Sequence, residues 1–192
     1  SGTLSPLSEY RDTIGLRGDT PMVRLPPPFP LENRRVVFDE ELSTNYEALQ
    51  KDPELIERYR DRIQEIFDVA KGRNTAVFFP SFDLLQKVLG SQELEDGNTL
   101  GGRLSEGMDF PGDTLEMVIV VGIPYPKPNA RQRALSAFYD IKFGKGWEYT
   151  VHAPASRRIQ QAIGRMIRSE DDRGFAFLLD KRAVHYKEDI PD

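Results

Sequence analysis

The sequence predicts an α/β domain, a mostly parallel sheet with helices on both faces, and three observations predict it. Thr75–Phe79 (TAVFF), Leu115–Val121 (LEMVIVV) and Phe175–Leu179 (FAFLL) are apolar runs, as expected of strands buried on both faces. Between them lie segments whose apolar residues recur at helical spacing. The two kinds of segment alternate along the chain, as crossover connections between parallel strands require. Sheets of this kind place ligand sites at the carboxyl ends of their strands.

The elements follow in order. Leu25–Pro30 (LPPPFP) is held extended by its prolines and reads as a linker or a surface crossing. Arg35–Phe38 (RVVF) is a short strand. Asp52 is placed to cap a helix and Pro53 suits its first turn. Leu55, Ile56, Tyr59, Ile63, Ile66, Phe67 and Ala70 then form its apolar stripe, and Gly72 stops it. After the strand Thr75–Phe79, Ser81 caps a helix that runs through Leu89. Leu115–Val121 leads into a proline-rich turn, Ile123–Pro128. A helix from about Arg131 to Ile141, a strand near Trp147–Val151, a helix opened by Ser156 and the strand Phe175–Leu179 complete the domain.

Composition narrows the function classes. A chain of 192 residues, 39% hydrophobic and 30% charged, fits one compact domain with a real core. No run of about 18 apolar residues is present to span a membrane, and Ser1–Pro6 lacks the basic start and apolar stretch of a signal peptide. With no cysteine, this chain holds no disulfide, cysteine-ligated zinc or iron–sulfur cluster, and His152 and His185 are too few to argue for a metal site. The expectation is a cytoplasmic protein, nuclear in a eukaryote, with no membrane partner. Because the net charge is −5, any contact with a phosphate backbone must come from local clusters.

One such cluster is the segment Ser156–Ser169. On a wheel of 100° per residue, Ile159, Ala162, Ile163, Met166 and Ile167 fall within about 140° and form a core face. Arg157, Gln161, Gly164, Arg165 and Arg168 fall opposite. Four arginines and no acid stand between Arg157 and Arg168. A solvated helix face usually mixes signs, and a mid-helix glycine at Gly164 costs about 1 kcal/mol relative to alanine, so close approach by a ligand is expected there. Arginine's planar fork suits phosphate.

Gln161-Ala-Ile-Gly164-Arg165-Met-Ile-Arg168 resembles motif VI of superfamily 2 helicases, and Leu179-Asp180-Lys181-Arg182 resembles the XPD and DinG branch. Gly101-Gly102-Arg103-Leu104-Ser105-Glu106-Gly107-Met108-Asp109 resembles motif V, Phe79-Pro80-Ser81 motif IV and Ser1-Gly2-Thr3-Leu4 motif III. The resemblance implies a RecA-like helicase C-terminal domain over 35–192, preceded by a motif III remnant and linker from the first motor domain over 1–34. It implies that Arg165 and Arg168, with Gln161, act as arginine fingers on a nucleotide held by that first, N-terminal helicase domain. Gly107, Asp109, Glu106 and Gly164 are the implied nucleotide-side residues. Ser81, Arg103, Lys127 and Lys145, with Trp147, are candidates for a single-stranded DNA path, since aromatics stack bases and lysines track phosphates.

The implied cofactors are ATP and Mg2+, shared with the first domain; an iron–sulfur cluster belongs to that other half. No G-x-x-x-x-G-K-[ST] loop is present. Between Leu89 and Gly101 the family carries a further helix and strand, whereas this chain has polar residues and single leucines, so a segment near 90–101 is read as missing. The expected function is the second motor domain of an ATP-dependent, 5′–3′ DNA-repair helicase, inactive alone, with repair or transcription complex proteins as possible partners. Two other readings stand beside it: a non-catalytic interaction module derived from a helicase domain, and an independent Rossmann-like nucleotide enzyme, for which no G-x-G-x-x-G follows a strand.

Overall fold

The computed structural model describes residues 4–26, 28–70, 72–90, 99–103 (as backbone), 115–167 and 169–190. Five parallel strands make one sheet in the order β1-β5-β4-β2-β3: β1 Arg34–Asp39, β2 Thr75–Phe79, β3 Thr99–Arg103, β4 Met117–Val121 and β5 Gly174–Leu179. The helices are α1 Leu7–Thr13, α2 Tyr46–Lys51, α3 Leu55–Val69, α4 Phe82–Leu89, α5 Ala130–Phe143 and α6 Ala153–Ile163. The α/β reading of the sequence therefore holds.

β2 and β4 are buried along their whole length, and β5 along most of it, because both faces of the sheet are covered. One face packs Ala76, Phe78, Val118, Val120, Ala176 and Leu178 against Ile159, Ala162, Ile163 and Met166 of the α6 segment. The other packs Val77, Phe79, Ile119 and Val121 against Leu55, Tyr59, Ile63 and Ile66 of α3 and Leu84 and Val88 of α4. Each such aliphatic side chain contributes about 1.5–3 kcal/mol. Ser81 caps α4 as expected, its hydroxyl oxygen accepting from the Leu84 amide at 3.2 Å. Asp52 likewise accepts from the Glu54 amide ahead of α3.

Four local expectations are corrected. The segment near Trp147–Val151 is not a strand: Glu148–His152 is a π-helical turn that runs directly into α6, which opens at Ala153 and not at Ser156. The β-branched and aromatic residues Tyr149, Thr150 and Val151 gave the strand signal, but helix packing overrides it, with Tyr149 and Thr150 buried. Gly164 ends α6 as its C-cap and is exposed, so it carries no mid-helix penalty. The expected loss of a strand near motif V is offset by Thr99–Arg103, whose backbone pairs with β2 in parallel at the sheet edge.

Two glycines are required by geometry. At Gly122, where β4 ends, φ is +71°, and a Cβ would fall on the Thr44 side chain. A Cβ at Gly174, the first residue of β5, would lie 2.8 Å from Cβ of Met166. Replacing Gly122 by alanine is expected to lower stability by about 2 kcal/mol or more, from left-handed strain plus the Thr44 clash. Gly72→Ala, at φ +80° but in open space, should lose about 1 kcal/mol from strain alone. Thermal denaturation of both variants checks this: equal losses would remove the role of Thr44.

Candidate functional site

The candidate residues are distributed over two edges of the sheet. α6 starts near the carboxyl ends, where Arg158 donates to the Pro124 carbonyl just beyond β4 at 2.8 Å. It descends to the amino ends, where Met166 meets Gly174 at the start of β5. Arg165, one residue before Met166, is therefore at the amino edge. That is the edge opposite the one where sheets of this kind place their ligand sites. Arg165 is half-buried, in the turn that closes α6, with its amide 3.3 Å from the Ala162 carbonyl.

Gln161 lies one turn earlier, lining a cavity of about 470 Å³ between α1 and α6 together with Glu9, Tyr10, Thr13, Pro154, Arg157 and Arg158. The all-cationic face read from the sequence is corrected here. Arg157 donates to Glu9 of α1 at 2.6 Å, with both side chains largely buried. Arg158 is spent on a carbonyl. The missing acid arrives from a helix some 150 residues earlier in sequence, beyond the reach of a local i,i+4 test. α1 is fastened a second time through Tyr149, whose hydroxyl donates to Asp12 at 2.6 Å. Burial, then this hydrogen bond, pushes the Tyr149 phenol up to about 12.

At the carboxyl edge Ser81 follows β2, and Arg103 ends β3 in register with Phe79, so the two are brought to one side. Lys127 is exposed in the connection leaving β4. Lys145 lies apart, beyond α5, with its ammonium 3.8 Å from Glu148 and over the Tyr149 ring. Trp147 is exposed and stands 5.6 Å from the His152 ring. Glu106, Gly107, Asp109 and Arg168 lie outside the described residues.

A buried polar clasp at the carboxyl edge was missed as a site. Asp180, 1% exposed, accepts from the amide and hydroxyl of Thr44 at 2.9 and 3.0 Å and from the Arg182 amide and guanidinium at 2.7–2.9 Å. Arg182 also reaches the Thr44 hydroxyl at 2.9 Å and lies over the Tyr125 ring. Burial alone would push the Asp180 carboxyl up, but the bonds from Arg182 and Thr44 outweigh it and hold the group below the usual carboxylate range. The Asp180-x-Arg182 spacing was the visible signal; Thr44, 136 residues away, was not.

With this geometry the comparisons can be placed. Residues 97–192 match the family model described as the helicase C-terminal domain. The chain belongs to this family. It is similar to the ATP-dependent DNA helicase XPD of Sulfolobus acidocaldarius, 29% identical over 163 residues, covering 69% of this chain and 29% of that protein. It is 31% identical over 192 residues to the 3′-5′ exonuclease DinG of Bacillus subtilis, covering 83% of this chain and 20% of the relative. The solved structure of an XPD helicase superposes with a TM-score of 0.66 at 26% identity, covering 81% of this chain and 33% of that one. A second, of XPD without ligand, gives 0.65 at 24% and shares the fold. This helicase C-terminal domain thus covers 29% and 20% of the length of the two relatives, and 33% and 38% of the two solved chains.

Replacing Asp180 by asparagine removes the charge that several donors converge on and leaves Arg182 without its ion. The expected loss is about 3 kcal/mol. The pH dependence has a fixed sign. A carboxyl whose folded pKa is depressed contributes stability above its unfolded value, about 3.9, and loses that contribution as pH falls through the folded value. Denaturant melts from pH 7 downward should show this acid limb in the parent and its reduction in Asp180→Asn. Parallel curves would remove the clasp from the account.

Proposed function

We propose that this helicase C-terminal domain serves as the second, RecA-like motor half of an ATP-dependent DNA helicase of XPD type. It would present Arg165, with Gln161 and Arg168, to a triphosphate bound by the first half. The observation that carries this reading is the fixed seat of the motif VI segment. Its apolar side is locked into the sheet, which leaves Gln161 and Arg165 half-exposed on the side away from it, while Arg157 is taken up by Glu9.

The donor set fits the triphosphate rather than its metal. Guanidinium and amide groups suit phosphoryl oxygens, whereas among the described residues no cluster of three carboxylate or histidine groups is placed to hold a metal ion. Glu106 and Asp109, the carboxylates of the motif V segment, lie outside the described residues. When bound, ATP with Mg2+ supplies the phosphoryl group whose transfer drives the motor. Arg165 would offset the charge that develops on it, without itself taking or giving a proton.

Ser81, Arg103 and Lys127 at the carboxyl edge would carry the single-stranded DNA. The Ser81 oxygen is occupied as a cap acceptor, but its hydroxyl proton and the first amides of α4 remain suited to a phosphate oxygen. Polarity of 5′ to 3′ and a role in repair follow from the family likeness and belong to the same proposal, as does the absence of turnover in the domain alone.

Turnover should be measured with both motor halves present. Arg165→Ala is expected to lower it by about 10³-fold while nucleotide binding survives, as for arginine fingers generally. Unchanged turnover would instead favour a non-catalytic interaction module. Titration of labelled single strands should show affinity that falls steeply with salt, weakened several-fold by Lys127→Glu. No binding at low salt would remove the DNA path from this domain.

A further inference from the structure

α5 is a helix of 14 residues with no buried residue. It is nonetheless well formed. Asn129 caps its start, accepting from the Gln132 amide at 2.8 Å, and Gly144 closes it in the left-handed conformation. It is anchored through Tyr139 and Phe143, against the Tyr149 ring at 6.0 and 5.9 Å between centroids, and through Asp140, which accepts from the Gly146 amide at 3.3 Å. Beside that edge runs an exposed stripe, whose Arg131 and Leu135 also line a hollow with Tyr139, Tyr149 and Thr150. Taking Arg131 as the origin of a helical wheel, Leu135, Phe138 and Lys142 all fall within about 40° of it, with Ala134 and Ile141 along one border. Each of these residues is exposed, Leu135 at 37%, Phe138 at 52% and Ile141 at 89%.

This stripe has two properties at once. Its apolar groups recur at helical spacing, the seam that a second helix fills. Its ends are cationic, Arg131 at the start and Lys142 near the close. The local acids Asp140 and Glu148 are engaged by the Gly146 amide and by Lys145. A second copy of the chain is a poor occupant, because antiparallel pairing sets Arg131 against Lys142 and parallel pairing sets like against like. Nucleic acid would use the cations and Phe138 but would gain little from Leu135 and Ile141, which have no π face for a base. An acidic partner helix satisfies every group on the stripe.

We propose that the exposed stripe of α5 is a docking surface for an amphipathic helix of a partner protein, apolar along its seam and acidic toward its two ends. At about 1.5 Å per residue the stripe is roughly 20 Å long, which suits a small, transient interface. This surface is independent of the phosphate-facing segment, since none of its residues lies on α6.

The test uses the 192-residue chain and a labelled peptide of roughly 20 residues, long enough to hold a helix in water. The peptide carries leucines at i, i+3, i+4 and i+7 and glutamates at both ends of that seam. Fluorescence anisotropy at 0.15 M salt should report a Kd on the order of 10 µM, as expected for a small interface. Phe138→Asp and Arg131→Glu should each weaken it about tenfold or more, and a peptide with lysine for glutamate should not bind. Both residues are exposed, so the melting temperature of either variant should stay within about 2 °C of the parent. No binding at about 100 µM peptide, roughly ten times the expected Kd, or binding indifferent to both substitutions, would overturn the proposal. So would oligothymidylate or phosphatidylserine vesicles binding through Phe138 in preference to the peptide, or a dimer in sedimentation that Phe138→Asp dissolves.

Discussion

The arrangement depends on one contact, the packing of the α6 segment onto β4 and β5, closed at its lower end by Met166 against Gly174. Ile159, Ala162, Ile163 and Met166 are all removed from water there. Because protein interiors are close-packed, this face leaves the helix a single rotational setting. The direction of Gln161 and of the turn bearing Arg165 follows from that setting. A side chain larger than hydrogen at position 174 would meet the Met166 side chain, and the cationic residues would move with the helix.

Much of the fold was legible because the buried strands are locally unambiguous. TAVFF at 75–79 coincides with β2 as observed, and FAFLL at 175–179 lacks only Gly174 of β5. Periodicity alone also separated the core face of the arginine segment from its polar face. The misread turn at Glu148–His152 shows the limit of such signals. Its β-branched and aromatic residues favour a strand in isolation, but the packing of Tyr149 against α5 and its bond to Asp12 of α1 favour helix. Asp12 is 137 residues away, and a local window that does contain Tyr139 and Phe143 cannot show that they pack against Tyr149.

The candidate site was legible in part for the same reason. Residue type and spacing singled out Gln161, Arg165 and Ser81, whose chemistry is local. Charge balance was not legible, because the partner of Arg157 is Glu9 and the partner of Asp180 includes Thr44. Two arginines that look alike on a helical wheel thus have different tasks, one fastening the N-terminal helix and the other placed at a turn on the amino edge. Low net charge along a chain also says little about any one surface: the strip on α5 is cationic in a protein whose net charge is −5.

The separation of Ser81 and Arg165 has a mechanical consequence. They lie beyond opposite ends of β2 and β5, with β4 between those strands, so something on the order of 20 Å of hydrogen-bonded sheet stands between them. Such a slab does not bend by ångströms at little expense, and events at one rim reach the other mainly by tilting the whole body. The domain is built as a stiff beam: a small rotation imposed where phosphates would be gripped becomes a displacement of comparable size where a strand would be held.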